Sequence, residues 1–392
     1  MIPQSDSLSF PDCSIMTEED IVTAITKVCD AGHGDPSNEE LREVKLLNCG
    51  RGFTDRTAAI LTQHCQALDT LVLTGCYKLN DTAISSLIIS GCGGNLTALD
   101  LSCNLRLGAT ALSVIGSVPQ LVSLTLNNVT HITDNELDCL LSPSDGGGSS
   151  SGSSSSSSSS SSSIGTSRAL QTMKSLRHLS LSGLMEITDT SIQRIILSCG
   201  PQLHSLNISG CSQLTDRSIE AIRNMCSNLH SIDVSQLPEV STAALIGLFI
   251  ANPMMLDQEA ATGEDSKEEE GEERSHVRPY TSPSPPSIGR LSYVNLQGNV
   301  NTTDEVIVHL SEMSRSTLRH LDMNGCNQLS NLAAVALNMN CNSTLEHLDM
   351  SFVRGCTEDA VGALVDTCAA LKSLHVWVSS EQLLLLYATS TT

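Results

Sequence analysis

The chain has 392 residues, of which 40% are hydrophobic but only 2% aromatic, with a single tryptophan, Trp377. An aliphatic core with almost no rings is typical of repeated small layers and disfavours one large globule. The formal net charge of −22 repels phosphate groups, so we expect no direct binding to nucleic acid or to an anionic membrane.

No targeting or membrane-spanning segment is recognisable in the sequence. The first fifteen residues lack a basic start followed by an apolar core, which a secretory signal would need. The longest apolar runs, Ala243–Ala251 and Leu383–Ala388, are too short to cross a bilayer. We therefore expect a soluble protein that is cytoplasmic, nuclear or both.

Residues 1–40 are predicted to form an N-terminal extension and a helical cap. Thr17-Glu18-Glu19-Asp20 is a suitable helix start, and Ile21 and Ile25 follow it at helical spacing. We interpret this segment as the helical half of a repeat whose strand is absent.

From residue 41 a pattern of the form Leu-x-x-Leu-x-Leu-x-x-Cys/Asn/Val recurs, and residues 41–142 hold its first four units. In the clearest unit, Leu203-x-x-Leu206-x-Ile208-x-x-Cys211 precedes a Leu-Thr-Asp step and an apolar stretch at helical spacing. Outside two interruptions, successive units begin 25–28 residues apart. The first leucines of the eleven units are Leu41, Leu68, Leu96, Leu121, Leu176, Leu203, Leu229, Leu291, Leu318, Leu345 and Leu371.

Each unit is predicted to be a strand, a turn and a helix. The Leu-x-x-Leu-x-Leu portion alternates like a short strand, and the Thr-Asp step suits a helix start because both side chains accept hydrogen bonds from free helical N–H groups. One unit cannot bury its own apolar face, so neighbours must stack. The sequence therefore predicts an α/β repeat solenoid, a horseshoe with a concave parallel β-sheet and convex α-helices.

Two segments interrupt this period and are predicted to be disordered. Residues 143–168 contain the serine run Ser153–Ser163, and residues 253–289 hold nine acidic against three basic side chains together with five prolines. Units 5–7 then occupy residues 169–252, and units 8–11 with a C-terminal cap occupy residues 290–392. The insertions are either low-complexity expansions or phosphorylatable and acidic tethers beside the binding face.

The texture of residues 17–378 resembles the cysteine-containing leucine-rich repeats of F-box/LRR proteins. It is also similar to the repeats of the mitotic-exit-network antagonist of budding yeast and of an LRR subunit of fungal nucleotide-excision repair. The resemblance implies a binding protein, with cullin and Skp-type ubiquitin ligase subunits as possible partners. Residues 1–40 do not show an F-box, which would either be missing from this chain or lie upstream.

No catalytic motif, cofactor site or metal site is predicted. A phosphate loop, Gly-x-Ser-x-Gly and His-Glu-x-x-His are absent from the sequence, so we expect no enzymatic activity. The fifteen cysteines follow the repeat, for example Cys211 and Cys226, and no Cys-x-x-Cys pair occurs. We interpret them as buried thiols that fill the corners of the repeats.

The outward strand positions carry the predicted protein-binding site. Equivalent residues of stacked strands form ladders, so His320, His347 and His375 are expected to line up, with Asp322 and Asp349 two residues further along. Aromatic anchors in polar surroundings are typical of binding hot spots. The alternative is that His-Leu-Asp is simply a common strand sequence of this repeat type, with solvated side chains. The predicted site consists of Tyr293, Asn295, His320, Asp322, His347, Asp349, Phe352, His375 and Trp377.

The leading functional hypothesis is a protein-binding adaptor, the substrate-recognition subunit of an SCF-type ubiquitin ligase, as the resemblance implies. The alternative is a scaffold subunit in nucleotide-excision DNA repair. A small-molecule receptor similar to the auxin-binding F-box proteins is a third hypothesis, but the outward positions offer one lysine, Lys45, and no arginine for an anionic cofactor.

Overall fold

The computed structural model describes residues 7–31, 41–141, 173–250, 290–379 and 382–386. The two predicted insertions, residues 143–168 and 253–289, lie outside this part of the chain. The described strands form one thirteen-stranded sheet in chain order. They are β1 Ser7–Phe10, β2 Glu43–Leu47, β3 Thr70–Thr74, β4 Ala98–Asp100, β5 Ser123–Thr125, β6 His178–Ser180, β7 Ser205–Asn207, β8 Ser231–Asp233, β9 Tyr293–Asn295, β10 His320–Asp322, β11 His347–Asp349, β12 Ser373–Ser379 and β13 Gln382–Leu386.

Helices follow the strands along the chain and pack against one another in sequence order. Short π and 3-10 turns, Ile88–Cys92 and Gly200–Gln202, extend two of them. The α-helices are α1 Glu18–Ala31, α2 Asp55–His64, α3 Asp81–Leu87, α4 Ala109–Gly116, α5 Asp134–Leu141, α6 Asp189–Cys199, α7 Asp216–Met225, α8 Thr242–Phe249, α9 Asp304–Met313, α10 Asn331–Cys341 and α11 Glu358–Thr367.

The sheet and the helices form two layers with one continuous apolar core between them. That core runs from Leu8 to Leu374. Strands β1 to β12 are parallel, and β13 pairs antiparallel with β12. Parallel strands lie about 4.8 Å apart, whereas packed helices need about 8–10 Å. The helical layer is therefore the wider one, which curves the array with the sheet on its concave side, and the predicted α/β solenoid is confirmed.

The N-terminal prediction is wrong in one respect, because the first repeat does have a strand. Strand β1 pairs in parallel with β2, with Leu8 opposite Val44. The segment Leu8-x-Phe10-x-x-Cys13 has the spacing of the second part of the strand motif, as in Leu206-x-Ile208-x-x-Cys211. The Cys13 amide donates to the Leu47 carbonyl. The unit lacks only the leading leucine, which is why its strand was not recognised.

The conserved spacing inside a unit reflects which side chains are buried. In the unit that contains β7 and α7, the strand leucines, Cys211 and the helical Ile219 and Ile222 are all at most 1% exposed. The Sγ atom of Cys211 donates to the Leu181 carbonyl of the preceding unit, 3.1 Å away. Thirteen of the fifteen cysteines are buried, as predicted.

The threonine of the Thr-Asp step caps its own helix as expected, whereas the aspartate joins neighbouring units. Thr215 caps its own helix α7 through a hydrogen bond from the Arg217 amide. Asp189, one repeat earlier, accepts hydrogen bonds from the amide and the hydroxyl of Thr215 and from the hydroxyl of Ser218. The aspartate therefore fixes the helix start of the next unit and does not cap its own helix.

Candidate functional site

The outward side of strands β9 to β12, with the turn that follows β11, brings the predicted site residues together. We call this surface the C-terminal patch. It consists of Tyr293, Asn295, His320, Asp322, His347, Asp349, Phe352, His375 and Trp377.

A row of neighbouring rings, one pair tilted and one pair stacked, crosses the patch at the first outward position of successive strands. The ring centroids of Tyr293 and His320 are 6.0 Å apart, and those of His320 and His347 are 4.3 Å apart with nearly parallel planes. Partial burial and the neighbouring His347 lower the pKa of His320 below its usual 6.5. Beyond His347 the row ends on Ser373, whose Oγ lies 2.6 Å from the His347 Nδ1.

His375 does not extend this row, so its predicted register is wrong. In the parallel pairing of β11 with β12, His347 is opposite Ser373 and Asp349 is opposite His375. Leu374 is buried opposite Leu348, and this fixes Ser373 and His375 as the exposed positions, two residues before the predicted frame. The His375 Nδ1 consequently lies 3.4 Å from the Asp349 Oδ2, where a protonated ring forms an ion pair.

The two aspartates of the patch shape the turns that follow their strands. One Oδ1 atom accepts a hydrogen bond from the backbone amide two residues later, at 2.9 Å for Asp322 and 2.8 Å for Asp349. Asp233 and Asn295 make the same contact on neighbouring strands. This Asx turn recurs in the fold. The two carboxylates therefore have a structural role, whereas the sequence interpretation assigned them to partner binding. Asn295 is itself buried and donates to Asp233.

Phe352 and Trp377 form an exposed aromatic pair at the end of the patch. Their ring centroids are 6.0 Å apart, and 47% of Phe352 and 39% of Trp377 remain exposed. Phe352 has a φ of 60°, a left-handed conformation that recurs at this turn, with glycine at the equivalent Gly325 and a longer side chain at the equivalent Gln236. A bulky side chain there costs about 1–2 kcal/mol. Since this conformation belongs to the repeat's turn, it is the exposure of the two stacked rings that favours a binding role, because aromatic side chains are enriched among hot spots.

Glu346 lies beside the two stacked imidazoles and belongs to a charge cluster at the edge of the sheet. Potential metal-ligand atoms of His320, Glu346 and His347 lie within 4.8 Å of one another. Each carboxylate oxygen of Glu346, however, is 2.5 Å from a cationic nitrogen, one of Arg319 and one of Lys372. The hydrogen bond from Lys372 is the main cause of a lowered pKa of Glu346, and the hydrogen bond from Arg319 lowers it further. The arrangement is an ion-pair bridge between three repeats, and a metal ion could use Glu346 only by displacing a cation.

A shallow depression in the middle of the concave face was not singled out from the sequence. It has a volume of about 240 Å³ and is lined by residues that include His178, Ser205, Ser231 and Tyr293. Because Tyr293 borders both surfaces, the depression is continuous with the C-terminal patch. The polar lining positions were recognisable as outward-facing, but the depression also reaches the buried Leu179 and Leu206, and no sequence pattern marks it.

Comparisons with known proteins show the fold. A chain of the crystal structure of the Rad7 and Elc1 complex in yeast matches 99% of this chain and 81% of its own length, with 18% identity and a TM-score of 0.67. The leucine-rich-repeat protein LegL7 from Legionella pneumophila matches 92% of this chain and 98% of its own length, at 12% identity and a TM-score of 0.48. An internalin from Listeria monocytogenes matches 95% and 96%, at 13% identity and a TM-score of 0.41. No protein-family model and no curated protein sequence matches the chain.

The chain is therefore a leucine-rich-repeat solenoid, defined by its period, its buried leucine ladders and its one-strand, one-helix units. None of the helices in the described ranges is long and apolar enough to span a membrane.

Proposed function

We propose that this protein is a binding adaptor, without enzymatic activity, that holds a protein partner on its concave face at the C-terminal patch. The observation that carries the proposal is the Phe352–Trp377 pair, two stacked rings that both remain exposed at the end of the sheet. Aromatic side chains bury a large area at a small entropic cost and are enriched among hot spots. The row from Tyr293 to His347 extends the same surface by three strands.

For the biological role we propose substrate recognition in an SCF-type ubiquitin ligase, with the target on the concave face. The resemblance of the repeats to those of F-box/LRR proteins supports this role. A contact elsewhere on the chain, or a segment upstream of it, would then join a Skp-type adaptor and cullin. The role places the protein in the cytoplasm, the nucleus or both.

The alternative role is a scaffold subunit in nucleotide-excision DNA repair, acting through protein partners because the charge of −22 disfavours DNA. Its support is the sequence resemblance together with the fold shared with a chain of the Rad7 and Elc1 complex, in which Rad7 is seen with a second protein.

Co-purification of the intact chain from its own cells, followed by mass spectrometry, distinguishes these roles. The ligase role predicts a cullin and a Skp-type adaptor among the bound proteins. The repair role predicts repair factors and recruitment to chromatin after ultraviolet damage. Recovery of neither set overturns both roles, whereas the adaptor proposal itself fails only if no protein binds through the concave face.

A further inference from the structure

The outer surface of helix α10 carries an apolar stripe that the fold does not cover. Leu332, Val335 and Met339 follow one another at helical spacing and are 62%, 49% and 77% exposed. Such i, i+3, i+7 spacing places them on one face. None of the eleven residues of α10 is charged. Among the α-helices in the described ranges, α10 is the one with more than one large exposed hydrophobic side chain.

The stripe is not needed to build the repeat. The inward face of α10 packs through other side chains, including Ala333, Leu337 and Cys341, which are fully buried. The neighbouring helices α9 and α11 carry mainly polar or charged residues at the corresponding outer positions. An apolar face of this kind on a soluble surface is typical of an interaction site.

Four carboxylates frame the stripe. The helix caps Thr303, Ser330 and Thr357 are each 27 residues apart, so the three helices align position by position. Leu332 is therefore flanked by Glu305 and Asp359.

By the same count, Met339 is flanked by Glu312 on α9 and Asp366 on α11. All four acidic residues are exposed. The nearest compensating group on α9 is His309, whose ring nitrogens lie 4.0 Å from Glu305 and from Glu312.

We propose that the outer face of α10 is a second protein-docking site, which receives an amphipathic helix with an apolar stripe and lysine or arginine on both flanks. Charge complementarity decides the occupant, because the four carboxylates pair with basic flanks and repel acidic ones. A second copy of this chain would place acid against acid. The acidic segment 253–289 of this chain, with nine acidic and three basic residues, is excluded by the same argument. The site lies on the opposite layer from the C-terminal patch, so it is independent of the proposed function.

A displayed library of helical peptides, selected against the intact chain, tests this proposal. The peptides carry fixed leucines at i, i+3 and i+7 and random flanking positions. The test variant is Leu332→Ser combined with Met339→Ser, and a second variant replaces Glu305 and Glu312 by glutamine. The matched control is Leu197→Ser on α6, a single hydrophobic residue that is 58% exposed. All these positions face solvent, so the variants retain the fold.

We expect the selected peptides to be enriched in lysine and arginine at the flanks. Their affinity should fall at least tenfold for the double-serine variant and several-fold for the glutamine variant, with no change for the control. Selection without basic enrichment, or equal affinity for the double-serine variant, overturns the proposal. Concentration-dependent self-association of the intact chain that Met339→Ser abolishes would also overturn it, in favour of a contact between copies.

Discussion

Where a cysteine or asparagine follows the strand of a unit, it should stabilise the array by hydrogen bonding to the preceding repeat. Asn104 is fully buried at this position. Its Nδ2 donates to the carbonyls of Leu73, at 2.6 Å, and of Leu101, at 2.8 Å, and its Oδ1 accepts from the Cys76 amide at 2.8 Å. The substitution Asn104→Ala removes all three contacts and leaves three buried backbone groups without these partners.

The magnitude follows from the cost of burying an unpaired polar group, about 1–3 kcal/mol each. With partial relaxation of the turn, we expect Asn104→Ala to lower the free energy of unfolding by about 3–5 kcal/mol. Asn104→Cys is the matched control, because Cys326 at the equivalent position donates from Sγ to the Leu296 carbonyl at 3.2 Å. The thiol restores one donor, so Asn104→Cys should cost about 1–2 kcal/mol less than the alanine variant.

Urea unfolding followed by circular dichroism measures both variants. Hydrogen exchange at the Cys76 amide provides a local readout, since repeat arrays do not always unfold in one step. The Cys76 amide should exchange faster in Asn104→Ala. An alanine variant within 0.5 kcal/mol of the parent chain, or unchanged protection of Cys76, would refute this account of the motif.

Three further predictions concern the titration of His320, the reactivity of the thiols, and the hydrogen bonds by which an aspartate fixes the helix start of the next unit. Because burial and the neighbouring His347 lower the pKa of His320, its NMR titration midpoint should lie below 6.5, and His347→Ala should raise it. A His320 midpoint that does not move in the variant would contradict the stacking of the two imidazoles. Since the folded pKa is below the unfolded one, this group destabilises the fold progressively as the pH falls below 6.5. A thiol reagent should modify at most two cysteines quickly in the folded protein, Cys103 and Cys139, which are partly exposed; rapid labelling of more would show that the repeat corners are open. Although burial opposes the charge of Asp189, hydrogen bonds from Ser218 and Thr215 outweigh it and lower its pKa. Asp189→Ala should therefore lower the free energy of unfolding by about 2–3 kcal/mol at pH 7. In the parent chain the stabilisation by the Asp189 carboxylate should disappear as the pH falls below 3.8. Equal stability of the variant and the parent chain at pH 7 would exclude this role of Asp189.

The sequence was sufficient to predict the architecture, because a leucine ladder with a period near 27 residues is a local signal that repeats many times. Strand β1 was not predicted because its unit lacks the leading leucine, although Leu8-x-Phe10-x-x-Cys13 has the remaining spacing of the motif. The register of β12 was wrong because the count from Leu371 was shifted by two residues, and the buried Leu374 places Ser373 and His375 outward.

The site itself was less predictable, because contacts between repeats depend on side-chain direction. The sequence placed Asp322 and Asp349 on the exposed face but could not show that each closes its own Asx turn. Nor could it show that Phe352 stacks on Trp377 or that Glu346 bridges Arg319 and Lys372. The stripe on α10 required aligning three helices in space, since no single helix contains both the apolar row and its acidic frame.

The affinity of the partner recovered by co-purification, measured for variants at the two ends of the concave face, tests the central claim most directly. The C-terminal variant combines His320→Ala with Trp377→Ala, and the control combines Thr70→Ala with Val72→Ala, two partly exposed residues on the same face of β3. The account predicts a loss of at least 100-fold for the first, about 2.7 kcal/mol, as expected for hot-spot side chains, and less than threefold for the control. Equal losses, or a loss confined to the β3 variant, would contradict the assignment of the binding site to the C-terminal patch.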